Sequence, residues 1–81
     1  MLTLKASKVL RHIPTSDRPG VRGRTLSDLT GLSVGQISGV IDMRLKHKYV
    51  QVKREGSNNK KYNVYTLLPG LTMRDVQALI D

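Results

Sequence analysis

Residues 33–46 read SVGQISGVIDMRLK, and their polar groups are of a kind that recognises rather than reacts. Gln36 carries an amide that donates and accepts side by side, the pairing that meets adenine bidentately, and Ser33 and Ser38 offer hydroxyls to a phosphate or a base edge. Gly35 and Gly39 stand four apart in the same run. Glycine inside a helix costs roughly 1 kcal/mol relative to alanine. Two of them on one side of a helix imply that its backbone closely approaches something, or that another helix packs there. Asp42 either accepts from cytosine N4 or pairs with Lys46, four residues on. Met43 can meet a thymine methyl or a second copy of the chain.

The charges around this run are clustered. Between positions 44 and 61 lie Arg44, Lys46, Lys48, Lys53, Arg54, Lys60 and Lys61, against the single acid Glu55. Arg18, Arg22 and Arg24 form a second group, with Asp17 beside them. The 81 residues carry a net charge of +8, with an isoelectric point near 10.3. That balance points to a polyanionic partner: DNA, RNA or an acidic surface.

Catalytic and metal chemistry find little support. No nucleophile–base pairing, paired carboxylates or phosphate-cradling glycine loop stands out, so an enzyme is not expected. His12 and His47 have no acid or cysteine at ligand spacing and read as surface or helix-end histidines; no metal or cofactor is expected. The absence of cysteine excludes a disulfide framework and fits a reducing compartment. No apolar run approaches a membrane span, and MLTLKASKVLRHI is broken by charge too early for a signal peptide, so a cytoplasmic location is expected.

The elements that must position these groups follow from periodicity. Ala6, Val9, Leu10 and Ile13 repeat at helical spacing behind a Thr3 cap, predicting a helix over about 3–13 that Pro14 stops. PTSDRPGVRGR reads as a loop in which Val21 can lie in a very short strand. Thr25, with Asp28 three later, is expected to cap a short helix over 25–31 that ends at Gly31; Leu26, Leu29 and Leu32 are its core positions. Ser33 caps a longer helix over 33–48 with the stripe Val34, Ile37, Val40, Ile41 and Leu45. With about 100° per residue, the side opposite that stripe carries Gly35, Gly39, Asp42, Met43 and Lys46, flanked by Gln36 and Ser38. The period then switches to two, predicting strands over about 49–55 and 61–67 around the turn GSNN. A last helix over 72–80 is capped by Thr72 and Asp75, with Leu71 stapled on Val76. Its stripe of Met73, Val76, Leu79 and Ile80 either closes the core or mediates self-association.

One α+β domain spanning 1–81 is therefore expected, and the order helix, helix, helix, hairpin resembles the winged helix-turn-helix family over roughly residues 3–68. Ser27, Gly31, Ile37 and Val40 fall at the spacings that hold the two motif helices of that family. The resemblance implies a small regulator of transcription, of bacterial, phage or plasmid type, that binds double-stranded DNA in a sequence-specific way. Helix 33–48 would enter the major groove and present Ser33, Gly35, Gln36, Ser38, Gly39, Asp42, Met43 and Lys46. The hairpin tip 53–61 would be the wing, with Lys53, Arg54, Ser57, Asn58, Asn59, Lys60 and Lys61 on phosphates or a minor groove, joined by Arg22, Arg24 and Lys48. A solvated β-turn whose lysines prevent edge pairing is the other reading of that tip. The alternatives in function are a winged helix that docks an acidic protein partner, or nucleic-acid binding without sequence choice. The resemblance also implies a homodimer or an oligomer templated on DNA.

Overall fold

The computed structural model describes residues 2–57 and 59–80. Its elements run α1 (Leu4–Leu10), β1 (Val21–Arg22), α2 (Gly23–Thr30), α3 (Val34–Val40) with a π-helical turn (Ile41–Leu45), β2 (Val50–Ser57), β3 (Lys60–Leu67) and α4 (Met73–Ile80). Among the described residues the fold is α+β: four helices, and a three-stranded antiparallel sheet in the order β1-β3-β2.

Thr3 caps α1 as its position predicts, its hydroxyl accepting from the Ala6 N–H at 3.1 Å. The α-helix stops at Leu10, earlier than expected. His12 and Ile13 continue it only through tighter bonds to the carbonyls three residues back, which still bury Ile13. The very short strand at Val21 is present, paired with Tyr65 on β3.

Helix α2 departs from expectation at its start. The chain turns directly out of β1, so Arg22 is the N-cap without a side-chain bond and Thr25 lies inside the helix. Leu26 and Thr30, four apart, face inward, which turns Leu29 to the edge, where it is 55% exposed rather than core. Gly31 ends the helix in the left-handed conformation, φ +80°. The turn is tied by Ser27, whose hydroxyl donates to the Leu32 carbonyl at 2.5 Å, and by Thr30, which donates to the Leu26 carbonyl and accepts from the Leu32 N–H.

The helix expected over 33–48 is shorter and changes pitch. Ile37, Ile41 and Leu45 are fully buried. A spacing of four drifts about 40° per step in an α-helix. The wider turn Ile41–Leu45, with the Lys46 N–H bonded to the Ile41 carbonyl at 2.7 Å, reverses that drift and keeps Leu45 in line. Beyond it Lys46 is extended and His47 is left-handed at φ 70°, so Lys46 and Lys48 stand in a loop and not on the helix. Val34, read as part of the apolar stripe, is 48% exposed. As the first residue of α3 it precedes the buried run and lies at its rim.

The strands reach further than predicted. The β2–β3 ladder runs from Val50↔Leu67 to Ser57↔Lys60, which takes Gly56 and Ser57 out of the turn. Val50, Tyr65 and Leu67 join the core that Ala6, Val9, Leu10, Ile13, Leu26, Ile37, Ile41, Leu45 and Val76 complete. On the other sheet face Val64 and Thr66 are covered by the 14–20 loop, where Gly20 lies against the Val64 side chain and the Tyr65 carbonyl.

Thr72 and Asp75 cap α4 reciprocally: Asp75 accepts from the Thr72 N–H at 2.9 Å, and Thr72 from the Asp75 N–H at 3.2 Å. The α4 stripe divides. Val76 is buried and Ile80 packs on the core with Leu71, whereas Met73 and Leu79 face outward. Among the described residues no helix is long and apolar enough to cross a membrane.

Candidate nucleic-acid interface

Helix α3 is held from its first turn. The Ser33 hydroxyl accepts from the Gln36 N–H at 3.1 Å, and the Gln36 side-chain oxygen accepts from the Ser33 N–H at 3.0 Å. This is the reciprocal S-x-x-Q cap, which sequence reasoning passed over although the spacing was visible. Gln36 therefore arrives at the surface with its side-chain carbonyl oxygen engaged by the cap.

The outward side of α3 is open. Gly35, Gln36, Gly39, Asp42 and Met43 are all exposed, with Ser38 half-buried beside them. A β-carbon built on Gly39 meets nothing within 4 Å, and one on Gly35 meets only the neighbouring Ser33 hydroxyl at 3.9 Å. Among the described residues no other helix packs against the two glycines.

The expected Asp42–Lys46 ion pair is not formed among the described residues. The π-helical turn widens the spacing, and Lys46 has left the helix in an extended conformation, so the two are no longer helical neighbours. Asp42 and Lys46 are both exposed.

Recesses flank α3 on two sides. On the sheet side a cleft of about 210 Å³ is lined by Arg22, Gly23, Arg24, Val34, Ser38, Tyr62, Asn63 and Tyr65. On the α1 side an apolar recess of about 240 Å³ lies between Lys5, Gln36, Gly39, Val40, Met43 and Arg44. Among the described residues both linings hold cations and neither holds an acid. The structure thus brings Arg22, Arg24 and Ser38 together on one flank of α3, and Gln36, Gly39 and Met43 together on the other. Lys48 adjoins that second recess through Met43 and Arg44, in a pocket that Leu2 and Tyr49 complete.

The hairpin sorts its cations by strand alternation. Arg54 and Lys61 fall on the same sheet face as the core residues Val50, Val52, Tyr65 and Leu67, that is, on the side of the helices. Lys53 and Lys60 fall on the opposite face. Arg54 donates from Nη1 to Asn63 Oδ1 across the ladder at 3.2 Å. Ser57 and Asn59 are exposed near the tip; Asn58, also assigned to the wing, lies outside the described residues.

Lys5, Arg44, Tyr62 and Asn63 were not among the site residues read from the sequence. Arg44 belongs to the cationic run and was legible in principle. The others are placed by packing between elements distant in the chain, which no local pattern announces. Among the described residues no group of acids, histidines and cysteines could hold a metal ion. Comparison with family models, with curated proteins and with solved structures finds no match for the chain, so the reading of this surface rests on its own residues.

Proposed function

We propose that this chain binds double-stranded DNA as a winged helix-turn-helix protein, with α3 in the major groove and the β2–β3 hairpin as its wing, and that it serves as a small regulator of transcription in the cytoplasm. The observation that carries the reading is the outward side of α3. It holds two glycines with open space above them, between two recesses whose charges, among the described residues, are all positive. A helix entering a groove about 12 Å wide needs a slim face and cations toward the phosphates on either side. The sheet order β1-β3-β2 supports the assignment, because it sets the hairpin beside the end of β1, where α2 begins.

One short helix reads few base pairs, so useful specificity calls for two copies on half-sites or an array along the DNA. The outward Met73 and Leu79 of α4 are the apolar positions we assign to such pairing, since Val76 and Ile80 are occupied by the core. Selection of bound sequences from a random duplex pool tests the function. Enrichment of a defined motif is the expected result, and equal affinity for every duplex would reduce the protein to non-specific binding. Failure to bind any duplex would leave the acidic protein partner as the reading to pursue.

A further inference from the structure

The cleft between α2, α3 and β3 contains a relationship that duplex binding in general does not require. The Arg22 guanidinium lies over the Tyr62 ring, 4.0 Å from its centroid. The register explains the meeting: Arg22 is paired with Val64 on β3, and Tyr62, two residues before Val64, is its diagonal neighbour on the sheet face away from the core, at the β1 edge where the chain turns into α2. A guanidinium stacked on an aromatic ring keeps its rim of N–H donors for an anion while the ring restrains the long side chain.

We propose that this cleft seats one backbone phosphodiester, and that Tyr62 is a positioning residue that holds Arg22 ready to grip it. Arg24 lines the same cleft and supplies the second cation, and Ser38 and Asn63 supply neutral hydrogen-bonding groups. Size decides the ligand class. Small-molecule sites commonly occupy about 300–1,000 Å³. At about 210 Å³ the cleft lies below that range and suits a phosphate with part of its sugar. Among the described residues no acid lines the cleft, which spares an anion the repulsion it would otherwise meet there. Ser38 ties the seat to α3, so a phosphate bound here would fix how far that helix advances into the groove. Register would be set by the cleft, and sequence by the exposed face of α3.

The inference rests on the DNA reading, and one experiment separates the two. Affinity for a fluorescein-labelled duplex of about 20 random base pairs is measured by anisotropy over a potassium chloride series. Binding by the unaltered protein tests the reading; the variants test the cleft. Arg22→Ala is expected to lower the log–log salt slope by about 0.9, the share of one phosphate. Tyr62→Leu is expected to weaken binding about two- to fivefold, and Tyr62→Phe to leave it unchanged. Added to Arg22→Ala, Tyr62→Leu is expected to cost nothing more, because its effect passes through Arg22. An equal Tyr62→Leu loss in both backgrounds, or no loss in either, would overturn the proposal while leaving duplex binding intact. Should Tyr62→Leu not fold, Arg22→Lys decides. It keeps the charge and loses the planar stack, so weaker binding at an unchanged slope supports the seat, and wild-type binding overturns it.

Discussion

Ser33 and Gln36 each satisfy the other's backbone N–H, at 3.1 and 3.0 Å, so the residue best suited to read adenine is also the one that starts α3. The two roles make different demands. A cap needs only the side-chain oxygen, whereas bidentate recognition of adenine needs the oxygen and the N–H₂ together. Gln36→Glu keeps the oxygen, and a carboxylate also favours a helix start. It should leave thermal stability unchanged while weakening duplex binding by about 1–3 kcal/mol. Gln36→Ala should lower both, with about 0.5–1 kcal/mol lost from the fold. If Gln36→Glu bound duplex as well as the unaltered protein, Gln36 would be a cap alone.

Gly39 and Gly20 should respond to alanine with opposite signs. Among the described residues nothing stands within 4 Å of a β-carbon at Gly39, so Gly39→Ala removes a helix-breaking residue and should stabilise the fold by up to about 1 kcal/mol. The same methyl projects into the space that the groove reading reserves for DNA, and duplex affinity should fall; Gly39→Leu should abolish it with the fold intact. At Gly20 a β-carbon would run into the Val64 side chain and sit 2.9 Å from the Tyr65 carbonyl. Gly20→Ala should therefore lower the melting temperature. Denaturation paired with anisotropy reads all three, and a Gly39→Ala protein that binds as before would remove the groove explanation for that glycine.

The hairpin cations should divide by face. Arg54 and Lys61 lie on the helix side of the sheet, and Lys53 and Lys60 on the far side. Arg54→Ala with Lys61→Ala should reduce the log–log salt slope by about 0.9 for each phosphate left without its cation. Lys53→Ala with Lys60→Ala removes the same charge and should change the slope less. Equal effects would mean that only net charge matters, and the hairpin would then have no preferred face toward DNA.

Acid should weaken the cap of the C-terminal helix. Asp75 has its carboxyl pKa held below the ordinary 3.8 by the Thr72 N–H it accepts from, then by the Thr72 hydroxyl. A lowered folded-state pKa means that its contribution is complete above the ordinary value and is lost as pH falls through the folded one. Asp17 shifts in the same direction, chiefly through its bond from Thr15. Melting temperature should accordingly hold near neutral pH and decline below about pH 4. Asp75→Asn, which cannot titrate, should flatten part of that decline. An identical acid profile in Asp75→Asn would show that the cap is not a pH-sensitive element.

Much of the scaffold was legible because its signals are local. Thr3, Gly31, Ser33 and Thr72 mark helix ends through bonds spanning three or four residues, and the switch from helical to alternating period marks the hairpin. The cationic stretches and the exposed glycines of α3 could be placed on a face from spacing alone. The start of α2 could not, because pairing of Val21 and Arg22 with β3 carries the chain straight into the helix and overrides the Thr25 cap. Nor could the exposure of Leu29 and Val34, which depends on which of several apolar positions the finished core has room to take.

Composition and periodicity by themselves determined the charge, the order of the elements and the outward side of α3, since each is a property of neighbouring residues. Tertiary structure decided the pitch change at Ile41–Leu45, which keeps Leu45 in a core already shaped by α1 and the sheet. It decided, too, that Arg22 meets Tyr62. These residues stand forty positions apart in the chain, and only the antiparallel register of β1 on β3 makes them neighbours.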